Sequence, residues 1–428
     1  MKYGCIGEKL SHSFSAQIHG MLGNAEYELR EIAPENLAAF MQERDFCAMN
    51  VTIPYKQAVM PFLDEISEDA REIGAVNTVV NRGGRLVGYN TDFGGMTMLL
   101  KKLLKEKGLS DLQGQKALVL GTGGTGKTAV HVLKALRCTE IVRVSRNGRD
   151  GAVTYEEMYR DHTDAGFIVN TTPVGMYPHV DACPVDVDRF TCLKGVLDAV
   201  YNPLRTRLVQ SAREKGVRAE GGLYMLVMQA VLAAEIFFER PICREMAEEV
   251  YRKVKRDREN IVLIGMPGCG KSTVGRYLAS RLEREITDTD KVVEEEQQCS
   301  IAAIFAEDGE EAFRDLETDV IRRVSVTGGK IISTGGGAVL RMENVRYLRM
   351  NGQIYFLDRD LMQIRPTRSR PLSATQEDLE KRYRERYPIY TALCDRHVKT
   401  LSAQKKTAAL IEGMFLEGNR GYFEHFQP

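Results

Sequence analysis

Two stretches of the chain share one pattern: a short apolar run, a glycine-rich run, then apolar residues at helical spacing. Lys116 to Leu120 (KALVL) predicts a short buried strand that ends in GTGGTG, Gly121 to Gly126. Ala129, Val132, Leu133 and Leu136 follow at i, i+3, i+4 and i+7, one face of a helix, and Ile141 to Val144 predicts the next strand. The pattern returns at Asn260 to Ile264, which meets GMPGCGKST, Gly265 to Thr273, and then a helix carrying Val274, Tyr277, Leu278 and Leu282. Each copy reads as a β-α-β unit of nucleotide-binding type, so the expected fold class is α/β. Between them Tyr251 to Glu259 is charged and poor in apolar residues, which marks a junction that reads as a solvated helix end.

The 428 residues exceed one ordinary core and suit roughly three folding units. Lys+Arg and Asp+Glu balance at 59 each, so nothing in the overall charge draws the chain to nucleic acid or to an anionic membrane. Charge at Lys2 and Glu8 interrupts any signal-peptide core, and no apolar stretch reaches membrane-spanning length, so a cytoplasmic location is expected. Nine cysteines without a C-x-x-C pair suit neither a disulfide framework nor a zinc site, and read as reduced, mostly buried thiols.

The first glycine run satisfies two patterns at once. Gly121, Gly123 and Gly126 fit the dinucleotide G-x-G-x-x-G, while Gly121 to Thr128 fits the P-loop G-x-x-x-x-G-K-[ST]. Both set backbone N–H groups and a helix N-terminus against phosphate, so Gly121, Gly123, Gly124 and Gly126 are cofactor candidates either way. Spacing alone leaves the choice open. Downstream of the second strand stand Ser145, Arg146 and Arg149, and two guanidinium groups where NAD specificity wants a carboxylate favour the 2′-phosphate of NADP.

Seven ordered motifs then resemble the shikimate dehydrogenases across the first 250 residues: SHSFS (Ser11 to Ser15), NVTIPYK (Asn50 to Lys56), GAVNT (Gly74 to Thr78), YNTD (Tyr89 to Asp92), NTTPVGM (Asn170 to Met176), YNPLRT (Tyr201 to Thr206) and MLVMQA (Met225 to Ala230). The resemblance implies a two-lobed dehydrogenase with a Rossmann-type NADP domain. Reducing a ring ketone needs a proton for the developing alkoxide; Lys56 is the candidate acid and Asp92 its orienting partner, the lysine-aspartate pair that the family implies. By the same resemblance Ser13 and Ser15 would bind the substrate carboxylate, Thr52, Asn77 and Gln229 its hydroxyls, and Tyr201 would lie near the cofactor cleft.

The second glycine run matches the P-loop with its strand before and helix after. Gly265, Gly268, Gly270 and Thr273 would cradle phosphates, Lys271 would lie along the β- and γ-phosphates, and Ser272 would offer its hydroxyl to Mg²⁺. Asp288 and Asp290, at i and i+2, are expected on one side of an extended strand, Asp288 toward Mg²⁺ and Asp290 as acceptor of a substrate proton.

From Gly265 to about Val398 the chain resembles the shikimate kinases through SIAAIF (Ser300 to Phe305), GEEAFRDLE (Gly309 to Glu317), ISTGGGAVL (Ile332 to Leu340), RPL (Arg370 to Leu372) and RERYPIY (Arg384 to Tyr390). This implies a P-loop domain with a parallel sheet flanked by helices. Arg314 and Arg386 would clamp the shikimate carboxylate, Gly336 with its glycine neighbours would let backbone approach the ring, Arg370 would reach the transferring phosphoryl from a lid, and Arg365 would stack near adenine.

The expected organisation is a substrate lobe at 1–100 completed by about 222–250, an NADP lobe at 101–221, a linker at 251–259 and a kinase domain at 260–428. The resemblances imply NADP(H), ATP and Mg²⁺, and the small acids 3-dehydroshikimate and shikimate. Two rival expectations are a non-catalytic first half that senses shikimate or NADP, and a first site that takes quinate.

Overall fold

In the computed structural model, residues 2–10, 14–24, 26–149, 151–364 and 375–418 are described. They divide into two compact units, Met1–Asn202 with Thr206–Val254, and Lys255–Pro428 with Pro203–Arg205.

The first unit holds two sheets. Its first is mixed and six-stranded, in the order Tyr27–Glu31, Tyr3–Gly7, Ala48–Val51, Thr78–Arg82, Arg85–Tyr89, Glu65–Ile66. Ile6, Met49, Val51, Val79 and Leu86 form the core under it with Val59 and Val76. The second sheet is parallel throughout, in the order Arg218–Glu220, Gly195–Asp198, Phe167–Asn170, Lys116–Leu120, Glu140–Val144. Strand order reverses beside Lys116–Leu120, the next strand being added on one side and the later ones on the other, so the glycine run that follows it lies at the topological switch point, where α/β sheets bind ligands. The strand that the apolar run predicts, Lys116 to Leu120, is reproduced residue for residue.

After the parallel sheet the chain enters the helix Leu223–Phe238, which is apolar on nearly all sides because it is buried against several partners. It lies along the helix Thr91–Glu106, close enough that a Cβ on Gly95 would stand 2.7 Å from the Met225 carbonyl oxygen. Its Ala233 and Phe237 join Cys5, Leu10, Tyr27, Ala48 and Val80 in a second core of the first lobe.

The second unit is one parallel five-stranded sheet, Ile286–Asp288, Ile331–Ser333, Asn260–Ile264, Gly352–Asp358, Arg396–Lys399, with helices around it. Asn260–Ile264 is fully buried at its centre, which explains its unbroken apolar sequence. The helix after its glycine run, Lys271–Leu282, buries Val274, Gly275 and Leu278, while Tyr277 of the expected apolar stripe is exposed.

Three expectations need correction. The charged stretch 251–259 is a helix end, as its composition suggests, closing the continuous helix Arg244–Arg258, but it is not wholly solvated: Val254 is buried, and Glu259 is 1% exposed and takes Arg205 Nη1 and Nη2 at 3.1 Å. The nine cysteines are all free, yet only Cys5 and Cys269 are buried, and Cys47, Cys183, Cys192, Cys243 and Cys299 are exposed. Asp288 and Asp290 do not share a strand: Asp288 ends Ile286–Asp288, and Asp290 lies in the first turn of the helix Thr289–Gln297. The i, i+2 rule fails there because the strand stops between them.

Candidate active sites

In the first lobe Lys56 Nζ donates to Asp92 Oδ2 at 2.5 Å, with both side chains largely shielded. Asp92 sits in the first turn of Thr91–Glu106, whose N-cap Asn90 accepts from the Phe93 N–H at 3.1 Å. The capped helix start favours a negative carboxylate at that position. The lysine is held from its own backbone as well, its carbonyl accepting from the Val76 N–H at 2.8 Å, one residue before Asn77.

Asn77, 3% exposed, is bound to the same helix start: its Oδ1 accepts from the Thr91 N–H at 2.7 Å and its Nδ2 donates to Thr91 Oγ1 at 3.1 Å. Thr91 Oγ1 lies 3.4 Å from Gln229 Oε1, and Gln229 Nε2 donates to the Leu226 carbonyl at 2.9 Å. Asn50 adds a bond from Nδ2 to Thr78 Oγ1 at 3.1 Å and accepts from Tyr27 at 2.6 Å. Lys56, Asp92, Asn77 and Gln229 are thus brought together by the GAVNT and YNTD segments, and Thr91 is the link that motif reading left out. Its signal was its place directly before Asp92.

Thr52 is half-buried at the end of Ala48–Val51, its N–H donating to Ile6 O at 3.0 Å. Ser15 opens the helix Ser15–Met21, and Tyr201 from the other lobe meets Phe14 edge-on with ring centroids 5.3 Å apart. Ser13 lies outside the described residues.

The two residues that follow the ambiguous glycine run stand differently from those of the second run. Lys127 is exposed, and Thr128 is 1% exposed with its hydroxyl bonded to the Gly124 carbonyl at 3.2 Å, so neither is placed as a P-loop Lys-Thr pair. The turn itself needs its glycines: Gly121 has φ +105°, and a Cβ there would stand 2.9 Å from Thr171 Oγ1, while one on Gly126 would collide with the Gly121 carbonyl. Gly123 and Gly124 face open space, Gly123 capping the helix Gly124–Ala135. Beyond the neighbouring strand, Ser145 is tied to Val153 O at 2.9 Å, and Arg146 and Arg149 are exposed with no ion pair to a described carboxylate.

Around the second glycine run the lysine behaves differently. Lys271 is 8% exposed and its Nζ donates to the Gly265 and Met266 carbonyls at 2.9 and 3.1 Å. Gly265, Gly268 and Gly270 have φ of +142°, +83° and +103°, conformations that L side chains rarely adopt. Gly265 lies against the Leu357 carbonyl, and Gly270 against the Gln404 side chain, a neighbour that no motif indicated. Ser272 Oγ is 3.4 Å from Ser333 Oγ, and Thr273 Oγ1 accepts from Arg276 at 3.4 Å.

Facing this loop is a buried charged cluster. Arg314 Nη1 donates to Glu317 Oε2 at 2.6 Å and Nη2 to Glu310 Oε1 at 3.0 Å. Asp290 Oδ1 and Glu317 Oε1 are both buried without a partner, and both crowd the point where a Cβ on Gly335 would stand. Burial pushes the Asp290 carboxyl up to about 7, with Glu317 adding to the rise and Lys271 and Arg314 opposing it. Burial raises Glu317 as well, against the pull of Arg314. A Cβ on Gly337 would strike the Arg314 guanidinium, the Gly336 carbonyl accepts from Tyr390, and Arg386 is 6% exposed. Asp290, Arg314, Gly336, Arg386 and Lys271 are therefore gathered, with Glu317 and Tyr390 added by the fold; the spacing of Glu317 three residues after Arg314 on one helix was its sequence signal. Asp288, half-buried, follows at the strand end. Arg365 and Arg370 lie outside the described residues.

No cluster of three His, Cys, Asp or Glu residues among the described ones is arranged to hold a metal. Ser272 and Asp288 present hard oxygen donors, which fit Mg²⁺ when nucleotide phosphates complete its shell.

Comparison with known proteins agrees with this division. Residues 5–79 match the family model for the shikimate dehydrogenase substrate binding domain, and residues 267–413 match that for shikimate kinase. A Clostridium beijerinckii protein named shikimate dehydrogenase (NADP(+)) is 37% identical over 266 residues, 58% of this chain and 96% of the relative. Among solved structures, a chorismate mutase/shikimate 5-dehydrogenase fusion protein from Clostridium acetobutylicum has a TM-score of 0.55 at 35% identity, covering 59% of this chain and 96% of that one. The Thermus thermophilus shikimate 5-dehydrogenase in complex with NADP(H) and shikimate has a TM-score of 0.52 at 30% identity, covering 59% and 99%. The chain belongs to the shikimate dehydrogenase family, and the same polypeptide continues into a shikimate kinase domain.

Proposed function

We propose that the two activities of this bifunctional shikimate-pathway enzyme are reduction of 3-dehydroshikimate to shikimate with NADPH, and phosphorylation of the resulting 3-hydroxyl with ATP and Mg²⁺. The observation that carries this reading is the contrast between the two glycine runs. One ends in an exposed lysine and a sealed threonine, the other in a buried lysine whose charge acts on Asp290, an acid with its Oδ1 buried and unpartnered.

In the first site NADPH, when bound, supplies the hydride. Lys56 donates a proton to the developing alkoxide, and Asp92 holds its ammonium in place. Asn77, Gln229 and Thr52 take the ring hydroxyls, and Ser13 and Ser15 the carboxylate. In the second site Asp290 accepts the proton of the attacking hydroxyl, a role suited to a carboxyl lifted to about 7. Arg314 and Arg386 bind the carboxylate, and Lys271 neutralises phosphate charge. Ser272 and Asp288 would hold Mg²⁺, which supplies charge neutralisation across the phosphates. Arg370 and Arg365 complete the proposal as lid and adenine contacts. A cytoplasmic location fits nine free thiols.

The test is a one-pot assay of the intact chain with 3-dehydroshikimate, NADPH, ATP and Mg²⁺. NADPH oxidation followed by equimolar ADP release is expected. ADP release from added shikimate with no NADPH oxidation would return the first half to the role of a sensor; faster turnover of quinate than shikimate would reassign its substrate.

Two variants test the assigned contacts. Removing both guanidinium groups, Arg146→Ala with Arg149→Ala, is expected to raise KM for NADP⁺ by on the order of 10²-fold while leaving KM for NAD⁺ within a few-fold, since hydrogen bonds to a charged group are worth about 1.5–3 kcal/mol each. Steady-state kinetics with both cofactors read it. Gly335→Ala places a methyl against the Asp290 and Glu317 oxygens. Kinase kcat is expected to fall by about 10²-fold or more, because misplacing a reacting group by about 1 Å costs that much.

A further inference from the structure

Asp198 has no place in the chemistry above, yet it is fully buried at the end of the strand Gly195–Asp198. No described cation forms an ion pair with it. Three donors converge on its carboxyl group instead. Oδ1 accepts from Asn170 Nδ2 at 2.9 Å and from the Val200 N–H at 3.0 Å, and Oδ2 accepts from Thr206 Oγ1 at 2.6 Å.

The donors lead mainly to the cofactor side of the first unit, and through Val200 also to the start of the helix that carries Gln229. Asn170 Oδ1 accepts from both the N–H and the hydroxyl of Thr172, at 3.1 and 2.7 Å. The adjoining Thr171 bonds the Leu120 carbonyl through Oγ1 at 2.7 Å, and it is the residue against which Gly121 and Gly126 pack. Val200 returns a bond from the Gly222 N–H to its carbonyl at 2.9 Å, and Gly222 lies so close to Ala199 that a Cβ would collide with its carbonyl. Gly222 caps the helix that carries Gln229, and Tyr201 directly follows Val200. Thr206 caps the helix Arg207–Glu214 by accepting from the Val209 N–H at 3.3 Å. One acidic side chain therefore joins the glycine turn, the Tyr201 segment and two helix starts. A buried carboxyl is costly, and an apolar residue would serve a core better; three converging acceptor bonds explain why an acid stands here.

We infer that Asp198 is a positioning residue for NADP(H), fixing the Thr171–Thr172 and Tyr201 segments against the glycine turn. This rests on the assignment of NADP to that turn. It acts through its neighbours, so its loss weakens cofactor binding more than shikimate binding.

The experiment compares the intact chain with Asp198→Ala and Asp198→Asn in shikimate oxidation, varying NADP⁺ and shikimate separately. Kinase rate in the same samples and circular dichroism serve as measures of folded protein. Asp198→Ala, losing three bonds, is expected to raise KM for NADP⁺ at least 10-fold while KM for shikimate changes less than about 2-fold. Asp198→Asn keeps the oxygen that serves Asn170 and Val200 and replaces the charge-assisted Thr206 bond with a neutral one of reversed direction, so its rise is intermediate. Should Asp198→Ala not fold, Asp198→Asn and Thr172→Val, which cuts the relay nearer the glycine turn, carry the test with the same asymmetry expected. Unchanged KM for NADP⁺ in the folded variants, or equal rises in both KM values, overturns the inference. Absence of NADP⁺ reduction by the unmodified chain would instead overturn the dehydrogenase assignment itself.

Discussion

Lys56→Ala is expected to lower NADPH oxidation with 3-dehydroshikimate by on the order of 10³-fold, the usual scale for a positioned general acid. The loss belongs to kcat. Lys56 and Asp92 form a shielded pair 2.5 Å apart, while the polar network that would hold the ring runs through Asn77, Thr91 and Gln229 and survives the substitution. Shikimate binding is therefore expected to persist, and shikimate phosphorylation by the same protein to remain within a few-fold of the unmodified chain. Initial rates of both reactions on one preparation check this. Reductase activity that survives Lys56→Ala would remove the lysine from the acid's role.

Asp290→Asn is expected to produce the reverse: kinase kcat falls by on the order of 10³-fold, and reductase activity is retained. The substitution keeps the shape of the side chain and removes its ability to take a proton. A second effect follows from the same geometry. Asp290 Oδ1 and Glu317 Oε1 both lack a partner and face the same small space beside Gly335. An amide at 290 replaces one member of a like-charged pair and offers Glu317 a donor, so the second unit is expected to become more stable as it becomes inactive. Thermal unfolding followed beside the kinase assay checks both. A variant that is both active and less stable would mean that Asp290 is a structural acid and not the base.

The two strands that precede the glycine runs were readable because a fully buried parallel strand has no polar face to maintain. Lys116–Leu120 and Asn260–Ile264 consist of little but apolar residues, and their ends are marked by glycine. The residues of the Lys56 site were readable from motifs, since each stands next to a turn or helix start whose sequence is distinctive. Asp288 and Asp290 were misread for the opposite reason: three residues of strand followed at once by a helix leave no period for a pattern to establish. The junction at 251–259 was readable as a helix end but not as a partly buried one, because its charged residues suit a helix that buries only a narrow stripe, Val250 and Val254. Exposed thiols were missed because cysteine count and spacing carry no information about burial.

Glu317, Thr91 and Asp198 show the limit more sharply. Each is an ordinary polar residue whose importance lies in partners distant along the chain: Asp290 and Gly335 for Glu317, Asn77 and Gln229 for Thr91, Asn170 and Thr206 for Asp198. The local signals of Glu317 and Thr91, a place three residues after Arg314 and one directly before Asp92, do not separate them from surface acids and turn formers, and Asp198 carries no such signal.

The amino-acid sequence on its own determined the α/β class, the presence of two phosphate-binding turns and the families to which the two halves correspond, because these are written in local periodicity and in short ordered motifs. What only three dimensions decided is the surroundings of the two turns: Lys127 meets solvent and Thr128 is sealed inside its helix, while Lys271 is enclosed by its own loop. The reason is physical: strand and helix formation depend on neighbours a few positions apart, whereas the exposure of a lysine or the isolation of a carboxylate oxygen depends on packing between segments that the chain brings together from far apart.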